Sequence, residues 1–130
     1  MTKATFNLHP QHHVGSVDPR IFGGFLEHMG RAVYQGVFDP SSIHADEFGC
    51  RTDVLDALSE LEFTVMRYPG GNFVSNYHWR DGVGPVTERP TRRELAWGTI
   101  EPNTFGTNEF LSLTERMGWS PMFAVNLGTG

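Results

Sequence analysis

Apolar residues recur along the chain in short bursts divided by glycine and proline, and the bursts switch between strand and helix periods. Ile21 to Leu26 is a run of strand length that ends in the polar pair Glu27-His28, and its two adjacent glycines, Gly23 and Gly24, point to a close backbone approach. Val54, Leu55, Leu58 and Leu61 fall on one face at helical spacing. Thr52 is placed to cap a helix beginning at Asp53, with Asp53 and Asp56 near the positive end of its dipole. Phe63 to Tyr68 follows as a strand, which Pro69-Gly70-Gly71 stops. Thr107 opens a second helix with Phe110, Leu113 and Met117 on one face, Glu109 near its start and Gly118 at its end. Met122 to Val125 is the last strand, and Thr5 to Leu8 a short one ahead of the main body.

The order strand, helix, strand, helix, strand is that of βαβ units on a parallel sheet, an α/β class. Active groups in such sheets gather where the strands end at their carboxyl side. Glu27, the turn from Arg67 to Asn72, and Asn126 all fall at such ends. Two segments exceed ordinary connections. Gly30 to Gly49 has no sustained period, and Asn72 to Phe105 spans 34 residues with a weak helical signal near Thr91 to Ala96. A βα loop usually takes about 2–6 residues, so the second segment reads as a binding excursion.

Composition narrows the functional classes. Leu, Ile, Val and Phe make up about a quarter of the 130 residues, above the level of about 20% that marks disorder, so the chain folds. A formal charge of −5 argues against nucleic-acid or anionic-membrane partners, which need basic patches. No apolar run reaches the length of a membrane span, and the start lacks a signal-peptide core, so a soluble, cytoplasmic chain is expected. The single cysteine, Cys50, excludes an internal disulfide and reads as a small buried hydrophobe. His9, His12 and His13 lack the spacing of a helical ligand pair and read as surface residues, so no metal site is expected.

The chemistry at the strand ends suits a polyhydroxylated ligand, whose hydroxyls donate and accept while its C–H faces are apolar. Glu27 can accept from two hydroxyls. Gly70 and Gly71 permit a backbone path that brings the Asn72 amide against a ligand. Tyr77, His78, Trp79 and Trp97 offer a stacking wall, against the alternative that the tryptophans pack the excursion onto the body. Arg67, at the end of a buried strand, needs an anionic partner, structural or catalytic. Glu60, Glu62, Glu109 and Glu115 map to helices or their edges and read as solvated. Pro69-Gly70-Gly71-Asn72 matches no phosphate-cradling fingerprint.

Four motifs occur in order. They are Phe22-Gly23-Gly24-Phe25-Leu26-Glu27-His28, then Arg67-Tyr68-Pro69-Gly70-Gly71-Asn72-Phe73, then Arg89-Pro90-Thr91-Arg92 with Trp97, and last Asn103-Thr104-Phe105-Gly106-Thr107-Asn108-Glu109-Phe110. Together they resemble the N-terminal part of the α-L-arabinofuranosidases of glycoside hydrolase family fifty-one, from about Arg20 to Gly130. The resemblance implies the first βαβαβ portion of a (β/α)8 TIM barrel over residues 19–130, incomplete in this chain. It leaves 1–18 as an N-terminal segment, a candidate strand of the accessory β-sandwich.

It also implies retaining hydrolysis of terminal arabinofuranosyl groups from arabinan, arabinoxylan and arabino-oligosaccharides, no metal or organic cofactor, and hexamers. By the same resemblance Glu27 binds hydroxyls of the sugar in the −1 subsite, and Asn72 contributes its backbone there. Trp97 lines the leaving-group side and Arg67 lies beside the nucleophile. Both catalytic glutamates, the acid/base and the nucleophile, are expected beyond Gly130, so residues 1–130 alone are expected to be inactive and to need the remainder of the barrel, in the same or another polypeptide. The alternatives are a non-catalytic truncated fragment and an arabinose-binding module.

Overall fold

The alternation of periods becomes β1 (Gly23–Phe25), α1 (Thr52–Ser59), β2 (Val65–Tyr68), β3 (Arg92–Arg93), β4 (Ile100–Glu101), α2 (Thr107–Met117) and β5 (Ser120–Phe123) in the computed structural model, which describes residues 2–129. β1, β2 and β5 form one parallel sheet in the order β1-β2-β5, with Gly23 opposite Val65 and Tyr68 opposite Phe123. β2 is flanked on both sides, and Val65, Met66 and Tyr68 are buried. The expected α/β order therefore holds.

The ends of the elements differ from expectation for local reasons. Pro19–Ile21 is a 3-10 turn, capped by the Asp18 carboxylate accepting from Arg20 N–H at 2.9 Å, so β1 starts two residues later than Ile21. Its glycines do mark a close approach, since a methyl group on Gly23 would lie 2.4 Å from Val65 Cγ1. β5 starts at Ser120, ahead of the apolar run, because an edge strand tolerates Pro121, which has no N–H to donate. Thr52 does not cap α1. It is the first helical residue, its hydroxyl donates to His44 O at 3.0 Å, and Arg51 occupies the cap position. α1 also ends before Leu61, which is exposed.

The core lies between the sheet and the helices. Leu55, Met66, Phe105, Phe110, Leu113 and Trp119 are buried there, with the Tyr68 ring stacked on Phe110 at 4.6 Å between centroids. The connection from Gly30 to Gly49 adds Val33, Val37 and Phe38, and Cys50 follows them into the interior. Burial first, then the neighbouring Asp46 charge, pushes the Cys50 thiol up, which keeps it protonated and unreactive.

The excursion from Asn72 to Phe105 holds no α-helix. The helical signal at Thr91 to Ala96 gives way to β3, which pairs antiparallel with β4. What fixes the excursion is Arg89, buried and donating to Gly84 O at 2.7 Å, Asn103 O at 2.9 Å and both Glu109 oxygens at 2.7 and 2.9 Å. Glu109, expected to be solvated, is thus half of an ion pair, and its Oε2 also accepts from Gly106 N–H at 2.8 Å at the start of α2. Burial alone would raise its carboxyl; the Arg89 fork and the Gly106 N–H outweigh burial and hold it below its ordinary value of 4.5.

Outside this body, residues 2–18 hold no regular element, so Thr5 to Leu8 pairs with no strand among the described residues, and His9, His12 and His13 are exposed. Among the described residues no strand pairs with either edge of this sheet, and Phe25, Met122 and Phe123 present apolar surface there. Among the described residues no helix is long and apolar enough to cross a membrane.

The Arg89–Glu109 pair sets a pH dependence. A depressed carboxyl contributes stability that is fully present above the unfolded value, about 4.5, and is lost as pH falls through the folded value. Urea titration should show unfolding free energy declining below about pH 4.5. Glu109→Gln should cost about 3 kcal/mol at pH 7 and make that decline shallower. A loss under about 0.5 kcal/mol at pH 7, the size of an exposed pair, would show that the pair anchors nothing.

Candidate functional site

β1 and β2 end side by side, and the chain leaves β2 through a cis Tyr68–Pro69 peptide into Gly70-Gly71-Asn72. Gly70 has φ +119°, a conformation other residues rarely adopt, and a methyl group there would lie 2.2 Å from Glu27 Cγ. The missing side chain is what lets the turn fold onto Glu27. Glu27 Oε1 then accepts from Gly71 N–H at 3.1 Å and from Phe73 N–H at 3.3 Å.

Glu27 is therefore half engaged. One oxygen is committed to the turn, so it offers fewer free lone pairs than a carboxylate read from sequence, while Oε2 makes no hydrogen bond to a described residue. The Asn72 N–H, bracketed by the two amides that hold Glu27, likewise has no partner among the described residues. The turn thus leaves one acceptor and one donor without a partner among the described residues. Such a pair matches a hydroxyl, which donates and accepts at once.

Arg67 stands one strand away. Its Nη1 donates to Gly70 O at 3.3 Å and its guanidinium lies 5.4 Å from the Phe25 ring centroid. The structural ion pair considered for it is not found, since no carboxylate among the described residues lies within 4 Å. Its charge remains open to an external anion. Asn126, expected at the third strand end, folds back instead, accepting through Oδ1 from Gly128 N–H at 2.9 Å and Thr129 N–H at 3.1 Å.

The expected stacking wall is not assembled as one surface. Tyr77 is half-buried and donates to Asn103 Oδ1 at 3.1 Å, so it belongs to the interior. Burial first, then the Glu101 charge, holds its hydroxyl protonated. Trp79 is exposed, with Arg80 5.5 Å from its ring, and His78 is also exposed. Trp97 is partly exposed and lines a cavity of about 150 Å³ with His28, Tyr34, Thr99 and Glu101, to which no residue of the Gly70 turn contributes. Its N–H is held by Glu94 Oε2 at 2.6 Å, and Ala96 N–H by Glu94 Oε1. The backbone thus draws Glu94 inward from its polar neighbours.

Sequence reasoning missed the polar cluster behind Glu27. His28 Nε2 is 2.7 Å from Tyr68 Oη, and Tyr68 O–H reaches Phe105 O at 3.1 Å. His28 Nδ1 is 3.1 Å from Glu101 Oε2, off the line of a hydrogen bond. Glu101 Oε1 accepts from Tyr34 O–H and from Asn103 N–H at 2.7 Å. Burial first, then the Glu101 charge, pushes the Tyr34 hydroxyl far up, so it stays a donor. The available signal was the polar pair Glu27-His28 closing an apolar strand.

With that geometry in place, similarity to known proteins decides the family. The family model described as the Alpha-L-arabinofuranosidase 1 domain matches residues 57–130. The chain belongs to this family. It is 52% identical over 126 residues to the probable alpha-L-arabinofuranosidase C of Aspergillus terreus, covering 97% of this chain and 25% of that relative. It is likewise 52% identical over 129 residues to the intracellular exo-alpha-(1->5)-L-arabinofuranosidase 1 of Bacillus subtilis, covering 99% and 26%. Among solved structures, a family 51 alpha-L-arabinofuranosidase from Bifidobacterium longum superposes with a TM-score of 0.84 at 54% identity, covering 88% of this chain and 22% of that one. The chain thus spans about a quarter of the length of these relatives. It corresponds to the N-terminal part of a family 51 arabinofuranosidase.

Gly70→Ala tests the turn. The methyl group collides with Glu27, so the substitution should unseat the carboxylate and abolish the protection of the Gly71 and Phe73 amides in hydrogen exchange. Unchanged protection at both amides would show that the turn does not depend on glycine.

Proposed function

We propose that residues 19–130 are the first βαβαβ portion of the (β/α)8 barrel of a retaining α-L-arabinofuranosidase. The enzyme removes terminal α-L-arabinofuranosyl groups from arabinan, arabinoxylan and arabino-oligosaccharides. The observation that carries the reading is the Glu27 carboxylate seated on the Gly71 and Phe73 amides, with Oε2 and the Asn72 N–H left for a sugar. Family membership gives the sugar its class. Glu27 and the Asn72 backbone bind the arabinofuranosyl group in the −1 subsite, and Trp97 lines the leaving-group side.

The reaction needs two further carboxyl groups about 5 Å apart, one protonating the leaving oxygen while the other attacks the anomeric carbon. Glu27 performs neither step; seated on two amides through Oε1, it meets the sugar through Oε2. It orients the furanose ring instead. The acid/base and nucleophile glutamates lie beyond Gly130, and the open charge of Arg67 suits a position beside the nucleophile. The remainder of the barrel, in the same or another polypeptide, continues the sheet past its open edges, where Phe25, Met122 and Phe123 await cover. Residues 1–18 add a strand to an accessory β-sandwich. The complete enzyme is a hexamer of the cytoplasm, in keeping with the Bacillus subtilis relative named as intracellular.

Hydrolysis of an aryl α-L-arabinofuranoside by the enzyme carrying this chain tests the proposal. Glu27→Ala should lower kcat/KM about 100-fold through mispositioning of the sugar. An unchanged kcat/KM would remove Glu27 from the site.

A further inference from the structure

We propose that His28 is a positioning residue of the sugar site, joining the three segments that carry Glu27, Asn72 and Trp97. This deepens the arabinofuranosidase reading and rests on its assignment of those three residues to the sugar. His28 touches no sugar itself, since it is 8% exposed and lies behind the strand end. Its contribution is to fix what surrounds it.

Each face of the imidazole meets a different segment. Its backbone follows Glu27 directly, and its N–H donates to Pro69 O at 3.3 Å at the entry to the Gly70 turn. The ring stacks on Phe73 at 4.5 Å between centroids and 24° between planes. Phe73 follows Asn72, and its own N–H holds Glu27 Oε1. Nδ1 lies 3.1 Å from Glu101 Oε2 on β4. β4 pairs with β3, which leads into Glu94, the residue that holds the Trp97 N–H. His28 also lines the same small cavity as Trp97. One residue thus links the strand end that carries Glu27 to the segment that carries Trp97.

The nitrogens explain why a histidine stands here. Two lone pairs 3.1 Å apart in the interior would repel, so the Nδ1 proton faces Glu101. Nε2 then either accepts from Tyr68 O–H or donates to it while Tyr68 O–H serves Phe105 O. Both arrangements leave the ring bridging β2 and β4. Phenylalanine would keep the stacking and leave Glu101 Oε2 facing carbon, and glutamine would lose the stacking and reach one partner at a time. The other titratable groups of this cluster, Tyr34, Tyr68 and Tyr77, are hydroxyls held protonated by burial, so the Glu101 carboxyl is the acidic group that faces the ring.

The test uses the complete enzyme carrying this chain, with His28→Gln and, independently, Glu101→Gln. An aryl α-L-arabinofuranoside serves as substrate, and a mechanism-based inactivator counts functional sites. Both variants should lose at least about 10-fold in kcat per titrated site, with KM changed by less than about threefold. Combined, they should lose no more than the worse single variant, as expected of one shared link. Either folded variant retaining kcat per site within about twofold of the parent overturns the proposal. A fall only in the number of titrated sites overturns it too, because it marks a residue needed for folding alone. If His28→Gln fails to fold, Glu101→Gln decides by the same criterion; if neither folds, the pair is structural and the positioning role falls. A parent enzyme inactive on arabinofuranosides refutes the underlying reading instead, before either variant is compared.

Discussion

The buried guanidinium of Arg89 is the constraint on which the rest of the site depends. The excursion between β2 and α2 has little regular pairing; its one ladder, β3 with β4, is two residues long. Arg89 supplies order by donating to the backbone carbonyls of Gly84, inside the excursion, and Asn103, near its end, and to a carboxylate on α2. An unpaired buried cation would be costly, so the loop, the helix and Glu109 are fixed together or not at all. α2 in turn presents Phe110 to Tyr68, and Tyr68 heads the cluster that includes His28 and Glu101.

Carboxylate occupancy separates structure from function within this frame. Glu94 and Glu109 each have both oxygens answered from within the chain, by backbone N–H groups or Arg89, and Glu101 has Oε1 answered by Tyr34 and the Asn103 N–H while its Oε2 faces the buried His28 ring. Glu27 has one oxygen answered and one open, beside an open Asn72 amide and an Arg67 guanidinium with no carboxylate partner. The three incomplete groups are neighbours at the ends of β1 and β2. Polar groups left incomplete together at the ends of a parallel sheet are those available to a ligand.

Much of the fold was legible in the sequence. Helical spacing of Phe110, Leu113 and Met117 located α2, and the Gly23-Gly24 pair signalled the close approach of β1 to β2. Its limits are equally physical. Leu61 fits the face of α1 by spacing, yet the helix ends before it; Pro121 hides the start of an edge strand. The Arg89 to Glu109 pair joins side chains 20 residues apart, and Tyr34 to Glu101 spans 67, distances at which no local period carries information. Glu27 and Asn72 drew attention because they follow the ends of β1 and β2. His28 was overlooked because it sits in the same motif as Glu27 and acts on its other side.

The most direct measurement is the crystal structure of the complete enzyme carrying this chain with arabinose bound. Glu27 Oε2 and the Asn72 N–H should each lie about 3 Å from oxygen atoms of one furanose ring. A sugar bound elsewhere, with the Glu27 carboxylate still seated on the Gly71 and Phe73 amides and nothing facing Oε2, would contradict the assignment of these strand ends to the sugar site.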